Sequence, residues 1–136
     1  MIESACARGS NGLPLTSRRL ERILPQGIVR GGTVYRQIIR EQVIYGHFRD
    51  YFAVSQELIA YSKSKGWVAF AMYAPLTGAN NDVVLHGDYA SLAALEAEMK
   101  EVMSDAGFME LVRRQASHVV QGSSVTEILM TIDDVA

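Results

Sequence analysis

His86 and Asp88 stand two residues apart in the run "VVLHGDY" at 83–89, so an extended chain would place both side chains on one face with Val84. An imidazole titrates near neutrality, and a carboxylate or another neighbour can hold its ring in one orientation. Together they would form a general base for an acidic C–H or O–H, and His86 and Asp88 are the candidate catalytic residues. The same pattern suits a histidine satisfied by a backbone carbonyl or water in a partly polar interior. No second catalytic element is fixed by spacing, so both readings stand on the residues alone.

Candidate ligand-binding groups come from the other extended segments. In "TVYRQIIREQVIY", Arg36, Arg40 and Gln42 fall on one face, and Gln37 and Glu41 on the other. Polar groups on an interior strand need partners, so Arg40 and Gln42 would either anchor a polar ligand group in a wet cavity or join a cross-sheet network. Glu127, in "SVTEILMTI", has Arg40 or Arg36 as its expected ion-pair partner by strand adjacency. Trp67 and Tyr73 share a face by strand parity and would wall a flat ligand, or else belong to a core or dimer interface. His47 sits where a helix begins, which disfavours an imidazolium, and reads as a surface residue. His118 lies near a helix end and reads as a capping residue rather than a haem ligand.

No Cys or His cluster has zinc spacing, and there is no phosphate-binding glycine loop and no serine in a nucleophile elbow. We therefore expect no metal and no cofactor. Met99, Met103, Met109 and Met130 fall at helix and strand positions and read as core filler.

The chain of 136 residues allows one domain with a genuine core, and its 49% apolar and 21% charged residues are those of a globular protein. A net charge of −2 leaves no broad basic field, which argues against a nucleic-acid partner. A single cysteine, Cys6, and the lack of any membrane-length apolar run make a cytoplasmic protein without a membrane partner the expectation. Residues 1–32, rich in Gly, Ser, Pro and Arg, read as an appended arm, with at most a short helix from Ser17 to Leu24 ahead of Pro25. Residues 33–136 form the domain.

Within that domain, near-alternation over "TVYRQIIREQVIY" predicts a strand, and Gly46 ends it. Phe48, Tyr51, Phe52, Ser55, Leu58 and Ile59 then recur at three- and four-residue steps, the mark of an amphipathic helix closed by Gly66. "WVAFAMYA" and "VVLHGDY" are two strands joined through Pro75 and "LTGANND". Ser91 caps a second helix, interrupted at Asp105-Ala106-Gly107 and ended by Gly122, and "SVTEILMTI" is the last strand. The order β-α-β-β-α-β predicts an α+β, ferredoxin-like domain. Its four-stranded antiparallel sheet should run 4-1-3-2, with both helices on one face.

Such a sheet should be apolar only toward its helices, yet "WVAFAMYA" is apolar on both faces. A second copy of the sheet is the simplest cover, giving a homodimeric α/β barrel. The pieces "GHFRDYF", "SKGW", "PLTGANNDVVLHGDYASL" and "AGFMELV", with the terminal strand, resemble the layout of NIPSNAP-like proteins and of the wider dimeric α/β barrel superfamily, which includes antibiotic biosynthesis monooxygenases. The resemblance spans about residues 36–133 and carries no catalytic motif. It implies a homodimer holding a small, often aromatic or polyketide-like ligand in each half, in a superfamily that contains cofactor-independent oxygenases, isomerases, haem-binding enzymes and proteins of no known activity. The leading expectation is a homodimer that binds a small, mostly apolar or aromatic molecule, as a cofactor-independent oxygenase or isomerase. The alternative is a non-catalytic binding or protein-interaction module.

Overall fold

The structure, a computed structural model, describes residues 32–132. The expected arm at 1–32, with Cys6 and the helix read from Ser17 to Leu24, lies outside the described residues except for Gly32. Seven elements follow in order: β1 (Tyr35–Gln42), α1 (Phe48–Lys65), β2 (Ala71–Tyr73), β3 (Asp82–Tyr89), α2 (Leu92–Ser104), α3 (Ala106–Ala116) and β4 (Val125–Met130). The four strands make one antiparallel sheet in the order β2-β3-β1-β4, the expected order read from its opposite edge.

The local signals act as the sequence predicts at several ends. Gly66 closes α1 with φ of 74°, a left-handed conformation that glycine adopts without steric cost, and its N–H reaches the carbonyls of Lys63 and Ser62. Ser91 caps α2 by accepting the N–H of Ala94. Asp105 ends α2 and also caps α3, accepting the N–H of Phe108 at 2.9 Å. The interruption expected at 105–107 is thus a full break. Gly122 does not end the helix, because α3 stops at Ala116 and Val119 bridges to Val43 instead.

Register fixes the two faces of the sheet. Tyr35↔Tyr89, Gln37↔Gly87, Ile39↔Leu85 and Glu41↔Val83 pair on the face under the helices. Here Val43, Tyr51, Val83 and Leu85 are buried, with Ile39, Phe48, Phe70, Met72 and Val119 packed around them. Burial of each large apolar side chain in that cluster contributes about 1.5–3 kcal/mol. The other face carries Arg36↔Asp88, Ile38↔His86 and Arg40↔Val84, then Ala71 and Tyr73 from β2 and Leu129, Glu127 and Val125 from β4. Nothing in the chain's described residues covers this face.

Two expectations need correction. The second strand was expected over 67–74 but its regular pairing covers only Ala71–Tyr73. Parity counted from Trp67 therefore fails: Trp67 lies beneath the helices, 5.6 Å from Phe108 and 6.3 Å from Tyr61 between ring centres, while Tyr73 is on the opposite, open face. The apolar residues on both sides of the 67–74 segment reflect this turn of the backbone as well as an uncovered sheet face.

Candidate functional site

On the open face, β2 and β3 bring Tyr73 and His86 together. Their rings stack with centres 5.0 Å apart, and Tyr73 Oη lies 2.7 Å from His86 Nε2. Tyr73, not Asp88, orients the imidazole. Both carboxylate oxygens of Asp88 are taken by Arg36, whose Nε and Nη2 donate at 2.7 and 2.8 Å. That fork holds the Asp88 carboxyl below its ordinary range, first through the hydrogen bond itself. Burial, reinforced by the Arg36 cation and opposed by Asp88, pushes His86 below its ordinary value, so its neutral form is favoured. Its Nδ1 is buried and has no hydrogen-bond partner among the described residues.

The remaining open-face candidates separate. Arg40 pairs with Glu127 at 3.6 Å, the partnership expected from adjacency, and both side chains are about half exposed. Gln42 closes the end of β1, where its N–H donates to Ser123 Oγ and its carbonyl accepts from Val120. Trp67 is held away from Tyr73 by its contacts under the helices, and its indole N–H donates to Glu101 at 2.9 Å. A hollow of about 340 Å³ nevertheless joins Trp67, Ala69, Ala71, His86 and Asp88 along the β2 side.

A larger cavity of about 410 Å³ lies on the other side of the sheet, beneath the helices. β1 and β3 supply Ile39 and Leu85, α1 gives Leu58 and Ile59, and α2 and α3 add Met99, Val102, Met103, Phe108, Met109 and Val112. The break at Asp105 lets α2 and α3 form two separate walls. Of the four methionines expected as core filler, Met99, Met103 and Met109 line this space, where unbranched thioethers adapt to an irregular occupant. Met130 lies exposed on β4, and Met103 and Met109 are themselves exposed rather than packed in the core.

Polar groups sit at fixed points among these apolar walls. Gln37 is buried and its carbonyl oxygen Oε1 has no partner among the described residues. Glu41 accepts from Tyr51 at 2.8 Å, and Gln115 donates to Ser55 at 2.8 Å. Glu98 accepts from Tyr89 at 2.9 Å and from the N–H of Val68. Burial first, then the neighbouring carboxylates Glu41 and Glu98, push the Tyr51 and Tyr89 phenols well above their ordinary range. Both hydroxyls stay protonated and donate. Gln37 and Glu41 were visible in the sequence as one face of β1, but the Tyr51 hydroxyl that meets Glu41 is brought there only by the packing of α1 on the sheet.

The two histidines set aside as surface and cap residues are in fact in contact. His47 Nδ1 and His118 Nδ1 are 3.0 Å apart, part-buried, with ring centres 5.3 Å apart. A ring nitrogen lies roughly 1.15 Å from its ring centre, so the two rings meet nearly head-on, as in a single N–H···N hydrogen bond. One ring must donate and the other accept. His47 is therefore not a free surface residue, and no spacing rule in the sequence pairs positions so far apart.

Among the described residues no group of three or more His, Cys, Asp or Glu side chains could hold a metal ion, and no helix is long and apolar enough to cross a membrane. No family model matches the chain, and no curated protein matches it. Solved structures do. A NIPSNAP family protein from Agrobacterium tumefaciens is 16% identical over 79% of this chain and 93% of its own, with a TM-score of 0.63. A NIPSNAP domain protein from Burkholderia xenovorans is 11% identical over 74% of this chain and 95% of its own, at 0.57. The structure of an antibiotic biosynthesis monooxygenase is 14% identical over 75% of this chain and 99% of its own, at 0.54. At these identities the likeness is one of fold: the ferredoxin-like fold expected from element order is the fold of NIPSNAP and antibiotic biosynthesis monooxygenase proteins.

Proposed function

We propose that this chain forms a homodimeric α/β barrel in which each copy binds a small, mostly apolar or aromatic molecule in the cavity between sheet and helices. The observation that carries the reading is the cavity itself, about 410 Å³ with apolar walls and an unpartnered buried Gln37 oxygen. That volume lies in the range of small-molecule sites, and apolar walls with a few placed polar groups are their usual composition. A protein-interaction module would not require such a space.

The dimer rests on the open face. Ile38, Ala71, Tyr73, Val84, Val125 and Leu129 lie there uncovered, and Tyr73, Val125 and Leu129 are about half exposed. Arg36–Asp88 and Arg40–Glu127 neutralise one another within the sheet plane, which lowers the cost of covering them. A second copy would enclose the 340 Å³ hollow beside His86. The oxygenase or isomerase reading extends from the kinship in fold with the antibiotic biosynthesis monooxygenase. Within it, His86 and Asp88, with Trp67 beside them and Tyr73 holding the imidazole, would serve a molecule in the open-face hollow, whereas Arg40, Gln42 and Glu127 lie outside its lining. For a molecule in the larger cavity the proton acceptor would be Glu41, since His86 is on the other face of the sheet. A cytoplasmic setting is part of the same proposal and rests on the single cysteine.

Sedimentation at micromolar concentration tests the assembly: a dimer is expected, and a stable monomer would refute it. Native mass spectrometry of the purified protein tests the cavity, with a small copurified molecule expected. His86→Ala with the fold intact tests chemistry on the open face. Unchanged turnover of any substrate found would remove His86 from catalysis.

A further inference from the structure

We infer that the larger cavity selects aromatic molecules bearing hydrogen-bond donors and no negative charge, preferring an amine to a hydroxyl and rejecting a carboxylate. The inference rests on the reading of that cavity as a small-molecule site. Two carboxylates, Glu41 and Glu98, line it, and among its described lining residues there is no Lys, Arg or His. The basic groups Lys65 and Arg114 of the enclosing helices already pair with Asp105 at 2.9 Å and Glu57 at 2.8 Å. An anionic ligand would therefore lose its hydration without meeting a cation, beside charges of its own sign.

What the wall offers instead is acceptors. A carboxylate has two oxygens and about four lone-pair sites. Glu41 meets the Tyr51 hydroxyl at 2.8 Å through Oε2, and its Oε1 has only a 3.4 Å contact with Ser124 Oγ. The Gln37 Oε1 has no donor at all among the described residues. These two residues lie on one face of β1 with Ile39 between them, about 13 Å apart along the strand, so they offer a donor-bearing head group two separate acceptor points on the same wall. Three of the neighbouring donors are already committed, the Tyr51 and Tyr89 hydroxyls to Glu41 and Glu98 and Gln115 Nε2 to Ser55 at 2.8 Å, while the Gln37 amide and the Ser62 and Thr126 hydroxyls are neutral donors in the same lining. Open acceptor sites on Gln37 and Glu41, with negative charge and no positive charge in the described lining, point to the same ligand chemistry.

Calorimetric titration of the full chain with four probes sharing one ring system tests this: naphthylmethylamine, naphthylmethanol, methylnaphthalene and naphthoate. The expected order is amine, then alcohol, then hydrocarbon, with about tenfold between the alcohol and the hydrocarbon and no detectable naphthoate binding. Naphthoate binding as tightly as the amine would overturn the inference and leave the cavity as a site. Failure of all four probes would overturn the site reading, and the inference with it. Glu41→Gln keeps an acceptor for Tyr51 and should cut the preference of amine over alcohol about tenfold. An undiminished preference in both Glu41→Gln and Glu98→Gln, with unchanged melting temperatures, would also overturn the inference.

Discussion

The two faces of the sheet are built from the same strands yet solve opposite problems. Toward the helices, β1 presents Gln37, Ile39 and Glu41, and β3 presents Val83, Leu85, Gly87 and Tyr89, all of the β3 set being buried. Toward the open side, the intervening residues form ion pairs and a stacked Tyr73–His86 pair that are only partly covered. The helix side therefore carries the chain's own stability and encloses the cavity, whereas the open side is charge-neutral in pairs and suited to a second surface. A strand residue's parity alone decides which duty it has.

Substitutions that respect this division should separate sharply. Tyr51→Ala removes a fully buried ring and should cost about 3–5 kcal/mol, read from urea unfolding. Gly87→Val places a side chain where a Cβ would lie 2.6 Å from the Phe70 ring and 2.8 Å from Val68, and should cost about 1–3 kcal/mol. On the open face, Arg36→Ala should cost the isolated chain less than about 1 kcal/mol, because a part-exposed ion pair is screened. If the open face is the dimer contact, the same change should weaken the dimer measurably in sedimentation. A loss of chain stability as large as that of Tyr51→Ala would erase the distinction between the faces.

Titration should show the smallest differences, in two separate windows. His86 is held below its ordinary 6.5, so the unfolded chain binds the proton more readily. Its contribution to stability is complete above pH 6.5 and declines as pH falls below that value. Asp105, held at about 2 rather than 3.8 by the N–H of Phe108, the Tyr61 hydroxyl and Lys65, contributes fully above pH 3.8. That contribution fades as pH falls toward 2. Proton NMR of the imidazole and melting curves of Asp105→Asn against the parent check both, and a His86 midpoint above 6.5 would contradict its burial.

Much of the fold was legible because period and punctuation agree. Alternation in 83–89 placed His86 and Asp88 on one face, and Gly66 and Ser91 marked helix ends by chemistry that few other residues supply. β2 was less legible because "WVAFAMYA" is apolar throughout, so nothing in it marks where regular pairing begins. The cavity was largely hidden for a different reason. Glu41 meets Tyr51 through the packing of α1 on β1, and Gln115 meets Ser55 sixty residues away, and no local pattern encodes either meeting. The His47–His118 contact was hidden in the same way. Arg40 with Glu127 was the exception, since adjacent strands make a partner guessable from element order.

Asp105 also acts as a ruler. A continuous helix from Leu92 to Ala116 would run about 37 Å, whereas the eight residues of β3 span about 27 Å. An uninterrupted rod would overshoot the sheet it must cover. By ending one helix and starting the next at a single carboxylate, the chain folds an overlong segment back to the length of its support. Residues inserted or removed at that joint would change the capacity of the chamber while leaving the register of every strand as it is.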